Sequence, residues 1–494
     1  MNRERYPSGR SAVLGLIVAL GTFASIGTAS AQVPSTPQTG GGQSDPNTGT
    51  NPAGQAPQPT DLPPTSPGLP PSPAGEHPRE TQQSPNNYGP NVAPSPSPAT
   101  PAPSTLEKVA NTVTSLIRPY GTLKPTIDVS VGSVESFGNP NASAPSAAAN
   151  PALTQFRNQT RLSFQAAQSR MGFWVAEKSQ ARAHVEIDFV DFTKATPTLA
   201  SNPRLRIAAV EYEPIEHFVI TAGQDWDLYA PVNPFTTNLV GANFEAGNTG
   251  FMRQQVKFVY TMPETAELGF ALGLPAQNAA FRDAGIELAQ YPTFAVRAAA
   301  LFGKSGKIGF SGIATRLRLG LGAKDERRAG SYSGNVFVDI GKADGFQLKG
   351  EGYVSRNLNN LGSLSLGFGN AAHDMDEVGG FLSGRQQLAE QHAVYVTVGA
   401  AGVLNAKDVV PDYSITAGAA GAAATRALTA TGPGMKFNMS AKLGYEYRPY
   451  KPIAIIVEPT MFRSRHVLQK ADWGQFGDPL RNAFGFETAM MYFF

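Results

Sequence analysis

Eight arginines between residues 161 and 318 have the clearest capacity for chemistry in this chain. A guanidinium is always charged and binds carboxylate or phosphate groups with a planar fork. Most of the eight alternate with apolar side chains, although the alternation around Arg161 and Arg170 changes near Gln168. We expect them to face a common polar interior or to lie near its rims. They are Arg161, Arg170, Arg182, Arg206, Arg253, Arg297, Arg316 and Arg318.

Acidic and amide side chains accompany these arginines. Glu186 and Asp188 share an alternating segment with Arg182, and a second set lies in or beside a long connection at residues 227–251. Acids on this connection that face bases on a wall would produce a transverse field, which would order dipolar or carboxylate-bearing solutes. Alternatively, the charges only solvate a wet interior and neutralise one another, and both interpretations stay open. The second set is Asp225, Asp227, Asn238, Asn243 and Glu245.

Residues suited to catalysis or metal binding are sparse. The chain has six histidines and no cysteine, which removes disulfides and thiolate metal sites. Ser383 and His392 flank one short turn and come nearest to a nucleophile and base. No spacing of His, Asp and Glu predicts a metal site. We expect no enzymatic activity, no cofactor, no metal and no nucleic-acid partner.

Strands are the elements that must position the charged residues. Residues 181–192 alternate between apolar side chains such as Val185 and polar ones such as Glu186, and residues 434–448 and Phe484–Phe494 behave similarly. A strand has a side-chain period of two, so one face is apolar and the other is polar or small. Sixteen segments alternate in this way, and their boundaries leave room for a count between about 14 and 18. They are residues 120–136, 157–177, 181–192, 203–213, 217–226, 252–262, 266–274, 291–303, 307–319, 331–342, 345–356, 376–388, 391–404, 434–448, 451–464 and 480–494.

The connections between these segments alternate in length. Connections after even-numbered segments are two or three residues long, such as 178–180, whereas several after odd-numbered segments are long, such as 405–433. This alternation is typical of an up-and-down membrane barrel, while a soluble β-sandwich crosses over between its sheets. The mean hydropathy of −0.20 and the lack of an apolar run of about 18 residues argue against helical spans. The sequence therefore predicts an all-β fold, a 16-stranded antiparallel transmembrane β-barrel.

The N-terminal quarter of the chain is organised differently. Residues 1–31 are typical of a secretory signal peptide, with a basic start, a short apolar stretch and small residues before Gln32. Residues 32–104 hold 20 of the 40 prolines and predict a disordered periplasmic linker, either a plain spacer or a cell-wall contact. Residues 105–118 predict a short amphipathic helix that packs near the rim or self-associates. Residues 119–494 would form the barrel, with both termini in the periplasm.

A barrel of sixteen strands is too wide for side chains to fill, so it leaves an aqueous channel unless something plugs it. The connection at 227–251 is the candidate constriction, with an ordinary external loop as the alternative. Rings of arginine in a pore select anions, and an arginine facing lipid at mid-membrane costs about 2–4 kcal/mol. We predict a bacterial outer-membrane porin for small hydrophilic solutes, with a lean toward anionic, carboxylate-bearing ones. A structural barrel that tethers the envelope through the Pro-rich linker is the alternative.

Three stretches resemble the early strands of the DcaP-type trimeric porins, within a broader resemblance to general porins of Gram-negative bacteria. They are Thr160–Phe164, Gln168–Phe173 and Ala222–Trp226. The resemblance implies a homotrimer, a pore narrowed by the third extracellular loop (Asp227–Phe251) and diffusion of small solutes such as dicarboxylates. It also implies that Arg161 and Arg170 lie on a basic pore wall. The chain departs from the family where the Pro-rich linker replaces an N-terminal coiled coil, and where Asp225 adds an acid beside the loop.

Overall fold

The computed structural model describes the greater part of the chain from residue 116 onward. The predicted signal peptide, the Pro-rich linker and all but the end of the predicted helix at 105–118 lie outside the described residues. The described residues are 116–132, 160–190, 203–239, 242–250, 252–274, 291–303, 306–319, 327–358, 360, 362–364, 374–406, 413–416, 425–428, 435–467 and 480–494.

Within the described ranges, sixteen strands form one antiparallel sheet, which confirms the predicted count and type of element. The first two strands each consist of two collinear segments. A separate two-stranded hairpin, Tyr413–Thr416 with Thr425–Leu428, lies in the connection between β13 and β14. The strands are β1 (Ile117–Leu123 and Thr126–Val131), β2 (Thr160–Gln165 and Arg170–Val175), β3 (Ala181–Asp188), β4 (Arg204–Ile215), β5 (Phe218–Trp226), β6 (Met252–Met262), β7 (Ala266–Gly273), β8 (Thr293–Phe302), β9 (Gly306–Leu319), β10 (Arg327–Gly341), β11 (Phe346–Arg356), β12 (Asp376–Ala389), β13 (His392–Val403), β14 (Met435–Tyr450), β15 (Ile453–His466) and β16 (Leu480–Phe493).

The sheet closes into a cylinder because β16 pairs with β1. The register runs from Thr126 opposite Ala489 to Val131 opposite Phe484. The last residue completes the closure, since the Gly121 amide donates to the Phe494 carbonyl at 3.0 Å. Closure therefore leaves no free edge among the described strands of this sheet. Unpaired backbone groups at such an edge would be costly in an apolar environment.

The two interrupted strands break side by side. Pro125 has no amide hydrogen and cannot continue the ladder of β1. In β2 the chain turns between its segments, where the Ser169 amide donates to the Ala166 carbonyl at 3.0 Å. The Lys124 amide donates to the Ser169 hydroxyl at 2.9 Å, so the two breaks are joined. The break in β2 accounts for the change of alternation near Gln168.

The cylinder has an apolar outer face and a polar inner face. Phe164 is 66% exposed and Phe310 is 62% exposed on the outside, whereas Ser383, Thr397 and Glu458 are buried inside. The final strand follows this rule, because the outward side chains predicted from its alternation are all exposed. They are Phe484, Phe486, Met490, Tyr492 and Phe494. Such an arrangement suits an apolar solvent outside and a polar interior.

The two ends of the cylinder differ in the lengths of their connections. The connections after even-numbered strands are tight, such as 216–217 and 451–452, and those after odd-numbered strands are longer, such as 404–434. The predicted alternation of lengths is therefore present, and we call the two ends the short-turn rim and the long-loop rim. No helix in the part of the chain that the structure describes is long and apolar enough to cross a membrane.

Candidate functional site inside the barrel

Residues 227–251 connect β5 to β6 and form what we call the inserted loop. Its described residues, 227–239 and 242–250, fold into the cylinder. Tyr229 is fully buried, and its hydroxyl shares a hydrogen bond of 2.6 Å with the Ser333 hydroxyl on β10. The Tyr229 carbonyl accepts hydrogen bonds from Ser311 on β9 and from the Asn335 amide at 3.3 Å. Burial raises the pKa of the Tyr229 hydroxyl well above its ordinary value, so this group stays neutral.

The middle of the inserted loop is held by its backbone. The Val232 amide donates to the Glu351 carboxylate of β11 at 2.8 Å. At Phe235, the amide donates to the Ser383 hydroxyl at 2.9 Å and the carbonyl accepts from the Thr397 hydroxyl at 2.6 Å. Because inner-wall side chains satisfy these backbone groups, the loop can lie inside the barrel without forming a strand or a helix of its own.

Glu458 of β15 anchors the inserted loop through two hydrogen bonds. Its carboxylate accepts hydrogen bonds from the Thr237 amide at 2.8 Å and from the Thr236 hydroxyl at 3.1 Å. The Tyr395 hydroxyl donates to the same carboxylate at 2.6 Å, and the Lys442 ammonium lies 3.4 Å away. Glu458 is 1% exposed, so its charge is stabilised by these partners and not by water.

The tip of the inserted loop reaches the opposite wall at β2. The Leu239 carbonyl accepts a hydrogen bond from the Arg170 guanidinium, and its amide donates to the Gln168 side chain at 3.0 Å. Gln168 also donates to the Asn238 side chain at 3.2 Å and accepts from the buried Lys124 ammonium at 2.8 Å. The break in β2 therefore places Gln168 where it can hold the tip.

The return half of the inserted loop packs against β12 to β14. The Asn243 side chain donates to the Ala246 carbonyl at 2.7 Å and accepts from the Ser440 hydroxyl. The Glu245 amide donates to the Gly362 carbonyl at 2.7 Å. Gly247 has a φ of +102°, and a Cβ atom there would lie 2.0 Å from the Gly380 carbonyl oxygen, so only glycine fits.

Three of the predicted arginines face inward and pair with carboxylates of the wall or of the loop. The Arg182 guanidinium lies 2.5 Å from Glu211 on β4. Arg253 lies 2.8 Å from Asp227 at the start of the inserted loop. Arg297 of β8 lies 2.7 Å from Glu267. Asp225, the acid next to the loop, pairs with Lys257 of β6.

A buried cluster on β3 and β4 contains three more of the predicted residues. The Arg206 guanidinium lies 2.6 Å from Glu186 and 3.1 Å from Asp188. Arg204 donates to Asp188 at 2.9 Å, and the Tyr120 hydroxyl donates to Glu186 at 2.9 Å. The charges in this cluster neutralise one another at close range, as one of the two sequence interpretations expected.

Arg170 differs from these paired arginines. Its only hydrogen bond among the described residues goes to the Leu239 carbonyl, which is neutral, and no described carboxylate lies within ion-pair distance. The wall contains the acids Glu186 and Asp188 nearby, which act on Arg170 at longer range. Arg170 is thus an inward guanidinium next to the loop tip with hydrogen-bonding capacity to spare.

The prediction that Arg316 lines the interior is wrong. Arg316 shares the outward parity of β9 with Phe310, is exposed, and stacks over the Tyr291 ring at 6.0 Å. Ile313 and Leu317 occupy the inner parity instead, and Ile313 packs in an apolar cluster with Tyr229 of the inserted loop. In this part of β9 the apolar residues face the inserted loop inside the barrel, so the apolar parity is the inward one, opposite to what the sequence pattern indicated.

Two other predicted residues are placed only by their backbone. Arg318 lies opposite Arg328 in the β9–β10 register and shares the parity of Arg316, which again does not support an inward position. Arg161 lies opposite Ser130 in the β2–β1 register. The side chains of Arg161 and Arg318 are outside the described part of the structure.

Ser383 and His392 do not form a nucleophile and base pair. The Ser383 hydroxyl points inward and bonds with Thr397 at 2.5 Å and with the inserted loop. His392 lies on the outer parity of β13, where its Nδ1 shares a hydrogen bond of 2.7 Å with the Tyr445 hydroxyl. The two residues therefore stand on opposite faces of the sheet.

Sequence reasoning did not find the wall residues that anchor the inserted loop. Glu351 and Glu458 are the most important of them, and both are buried. Their signal in the sequence is a single carboxylate within a strand of otherwise small or β-branched residues, as in residues 453–459. Such a carboxylate needs a buried donor, and the loop backbone supplies it in both cases.

Similar proteins were found among solved structures only, since no protein-family model and no curated protein matches this chain. The crystal structure of the outer membrane channel DcaP of Acinetobacter baumannii is 13% identical, covers 76% of this chain and 97% of its own, and has a TM-score of 0.55. OprB of Pseudomonas putida is 10% identical over 78% of this chain and 96% of its own, with a TM-score of 0.45. OmpF of Salmonella typhi, in complex with daunomycin, is 11% identical over 76% and 97%, with a TM-score of 0.43. The chain therefore has the fold of the DcaP channel, as the resemblance in its early strands predicted.

Proposed function

We propose that this protein is a porin of the bacterial outer membrane, through which small hydrophilic solutes diffuse passively. The observation that carries the proposal is the course of the inserted loop inside a closed sixteen-strand cylinder. The loop contacts the inner faces of β9 to β15 and then reaches β2 at Arg170. A loop held in this way would narrow the lumen without plugging it, and solutes would pass between the loop and the charged wall of β2 to β6.

Anionic solutes with a carboxylate are the class that this passage would favour. The support is Arg170, which stands at the loop tip without a carboxylate bonded to it among the described residues. The paired arginines contribute less, because Arg182, Arg206, Arg253 and Arg297 already neutralise wall or loop acids. Selectivity would then depend on one guanidinium at the loop tip that no described carboxylate neutralises directly, and it would be modest.

A homotrimer is the assembly that we propose, with both termini on the periplasmic side and the long-loop rim facing outward. The support is the resemblance of three early stretches to the DcaP-type porins, together with the shared fold. Cross-linking of protein purified in mild detergent should give a product with three times the protomer mass. A product that stays at one protomer under these conditions would contradict this assembly.

Solute uptake into liposomes tests the function directly. Liposomes that contain the protein should swell in small dicarboxylates and small sugars, and the dicarboxylates should enter faster than neutral solutes of equal size. In a KCl gradient, the reversal potential should have the sign expected when chloride passes more readily than potassium. Swelling together with a cation-selective reversal potential would support the porin function and refute the anion preference. Inserted protein that causes no swelling would favour the tethering role.

A further inference from the structure

We propose that Asn360, in the connection between β11 and β12, is a positioning residue for the pore. It joins the two ends of the inserted loop and sets the angle at which this loop enters the lumen. The inference rests on the proposed porin function, since the angle of the loop matters only where solutes pass beside it. Asn360 belongs to a group of buried residues that we call the strap, namely Leu358, Asn360, Gly362, Ser363 and Leu364.

The Asn360 side chain lies at the stem of the inserted loop, where the loop leaves β5 and returns to β6. Its amide nitrogen donates to the Asp227 carboxylate at 3.1 Å and to the Thr249 carbonyl at 3.2 Å. Its amide oxygen accepts from the Arg253 guanidinium at 2.7 Å. All four residues are buried. One side chain from a different connection therefore bonds to the first residue of the loop and to a residue near its end.

The partners of Asn360 require a primary amide. Two acceptors and one donor face this side chain, and among neutral side chains only Asn and Gln combine an NH₂ group with a carbonyl oxygen. The same partners fix which way the amide points. An apolar residue at position 360 would leave the buried Thr249 carbonyl without its donor, and an unpaired buried polar group is costly. The residue type at this position thus matches the stem of the inserted loop.

The rest of the strap contacts both halves of the inserted loop. Leu358 packs in an apolar cluster with Tyr229 of the first half. On the return half, the Glu245 amide donates to the Gly362 carbonyl at 2.7 Å. Gly362 has a φ of +88°, and a Cβ atom there would lie 2.5 Å from the Asn248 carbonyl oxygen. Only glycine allows the strap to lie this close to the loop.

The strap is itself fixed to the wall of the barrel. The Leu364 amide donates to the Glu377 carboxylate of β12 at 3.0 Å, and the Tyr353 hydroxyl of β11 donates to the same carboxylate at 2.6 Å. Within the strap, the Ser363 hydroxyl donates to the Leu358 carbonyl at 2.7 Å. The stem of the inserted loop is therefore connected to β11 and β12 as well as to β5 and β6.

This additional connection determines the inclination of the loop. The pairing of β5 with β6 already brings the two ends of the loop together, with Asp225 opposite Arg253. Pairing of two neighbouring strands leaves the loop free to tilt about them, and the strap removes that freedom from a third direction. The loop tip at Leu239 lies about midway along the loop and bonds to Arg170 on the far wall. A small rotation at the stem would therefore shift the tip and change the width of the passage.

Reaction of a single thiol with maleimide-polyethylene glycol tests the proposal on the folded, detergent-purified barrel. The chain has no cysteine, so Thr249→Cys places one thiol at a position that is 1% exposed. In this background, Asn360→Ala should raise the labelling rate about tenfold or more, because three hydrogen bonds at the stem are lost. Gly362→Ala should also accelerate labelling, since its Cβ displaces the strap from Asn248. Unchanged labelling in both variants would overturn the proposal.

An exchange of side chains separates a positioning role from a general loss of stability. Asn360→Asp alone should accelerate labelling, because two carboxylates then face each other. The double variant D227N/N360D exchanges the amide and the carboxylate, so the pair can bond again and Arg253 keeps one carboxylate partner. Its labelling rate should return toward that of the Thr249→Cys parent. A double variant that is labelled as fast as Asn360→Asp would overturn the assignment to these contacts.

Asn438→Ala is the matched control. Asn438 is as buried as Asn360 but accepts its hydrogen bond from Ser464 of the neighbouring wall strand, at 2.8 Å. In the Thr249→Cys background this variant should be labelled as slowly as the parent. Acceleration equal to that of Asn360→Ala would indicate a general loosening of the barrel and would overturn the proposal.

Planar-bilayer recording of Asn360→Ala distinguishes the strap from the porin function. Thiol labelling does not require that the barrel conducts, so the two proposals can fail separately. Faster labelling together with a higher and noisier single-channel conductance would support both. Faster labelling in a barrel that stays electrically silent would refute the porin function and support the role of the strap. Open channels with unchanged labelling and conductance would overturn the strap alone.

Discussion

At the scale of single residues, the inward arginines differ in their partners. Most of them pair with carboxylates, whereas Arg170 has no described carboxylate within ion-pair distance. Arg206 is 1% exposed and held by two carboxylates, whereas Arg170 bonds to a carbonyl of the inserted loop. The residue types and the inward facing of most arginines could be predicted from alternation. Their pairing could not, because it depends on which residues lie opposite one another in neighbouring strands.

Replacement of Arg170 by alanine should enlarge the pore and weaken its anion preference. The change removes an inward cation and also releases the loop tip at Leu239. Single-channel conductance should rise, and the reversal potential in a KCl gradient should move toward the value for potassium. Arg316→Ala is the control, because this arginine stacks on Tyr291 at the outer face, and it should leave both quantities unchanged. Equal currents in wild type and Arg170→Ala would show that Arg170 does not line the passage.

Replacement of Arg206 by alanine should destabilise the barrel. The change leaves the buried Glu186 without its cation, while Asp188 keeps only Arg204, and breaking a buried ion pair costs about 3–5 kcal/mol. Urea unfolding of the protein in detergent measures the difference. The folded fraction is read from the heat-modifiable band in electrophoresis of unheated samples. Arg182→Ala is the control, because its pair is partly exposed and contributes at most about 1 kcal/mol. A loss for Arg206→Ala as small as that of the control would show that the buried cluster is not needed.

At the scale of the elements, the strands were predictable and the inserted loop was only partly so. A period of two and alternating connection lengths gave sixteen strands, and the final strand exposes the side chains that its pattern predicted. Strand β9 was misjudged at Arg316 because Ile313, an apolar residue, faces inward against Tyr229. Periodicity reports which positions are apolar, but it cannot tell lipid from a loop packed inside the barrel.

The same limit explains why the anchors of the loop went unnoticed. Glu458 interrupts an apolar strand, and its meaning becomes clear only when the Thr237 amide is seen to donate to it. Loop position 227–251 could be singled out by its length and its lack of periodicity. Its partners lie far away in the sequence, from Gln168 at a separation of 71 residues to Glu458 at a separation of 221 residues, and no local pattern connects them.

Replacement of Glu458 by glutamine should loosen the inserted loop. An amide keeps one acceptor oxygen but places an NH₂ group near the Tyr395 hydroxyl and the Lys442 ammonium, and hydrogen bonds to a charged acceptor are worth about 1.5–3 kcal/mol. We expect a higher mean conductance and larger current fluctuations in single-channel records. Glu211→Gln changes a wall-to-wall pair with Arg182 and is the matched control. A Glu458→Gln channel as quiet as wild type would mean that this anchor does not hold the loop.

At the scale of the whole molecule, one closed cylinder accounts for the apolar outer face, the buried interior charges and the two unequal rims. Pairing of β1 with β16 brings residues near both ends of the described chain together and leaves no free edge. The apolar outer face would aggregate in water, while the inner face needs solvent or polar partners. A bilayer outside and water inside satisfy both faces at once.

Planar-bilayer recording of the purified protein tests this account most directly. Addition of nanogram amounts to one chamber should produce stepwise increases in current, each stable for seconds, because every inserted cylinder adds an aqueous path. Protein that inserts into the bilayer and remains electrically silent would contradict the open channel. Protein that stays soluble and monodisperse without detergent would contradict the membrane barrel itself.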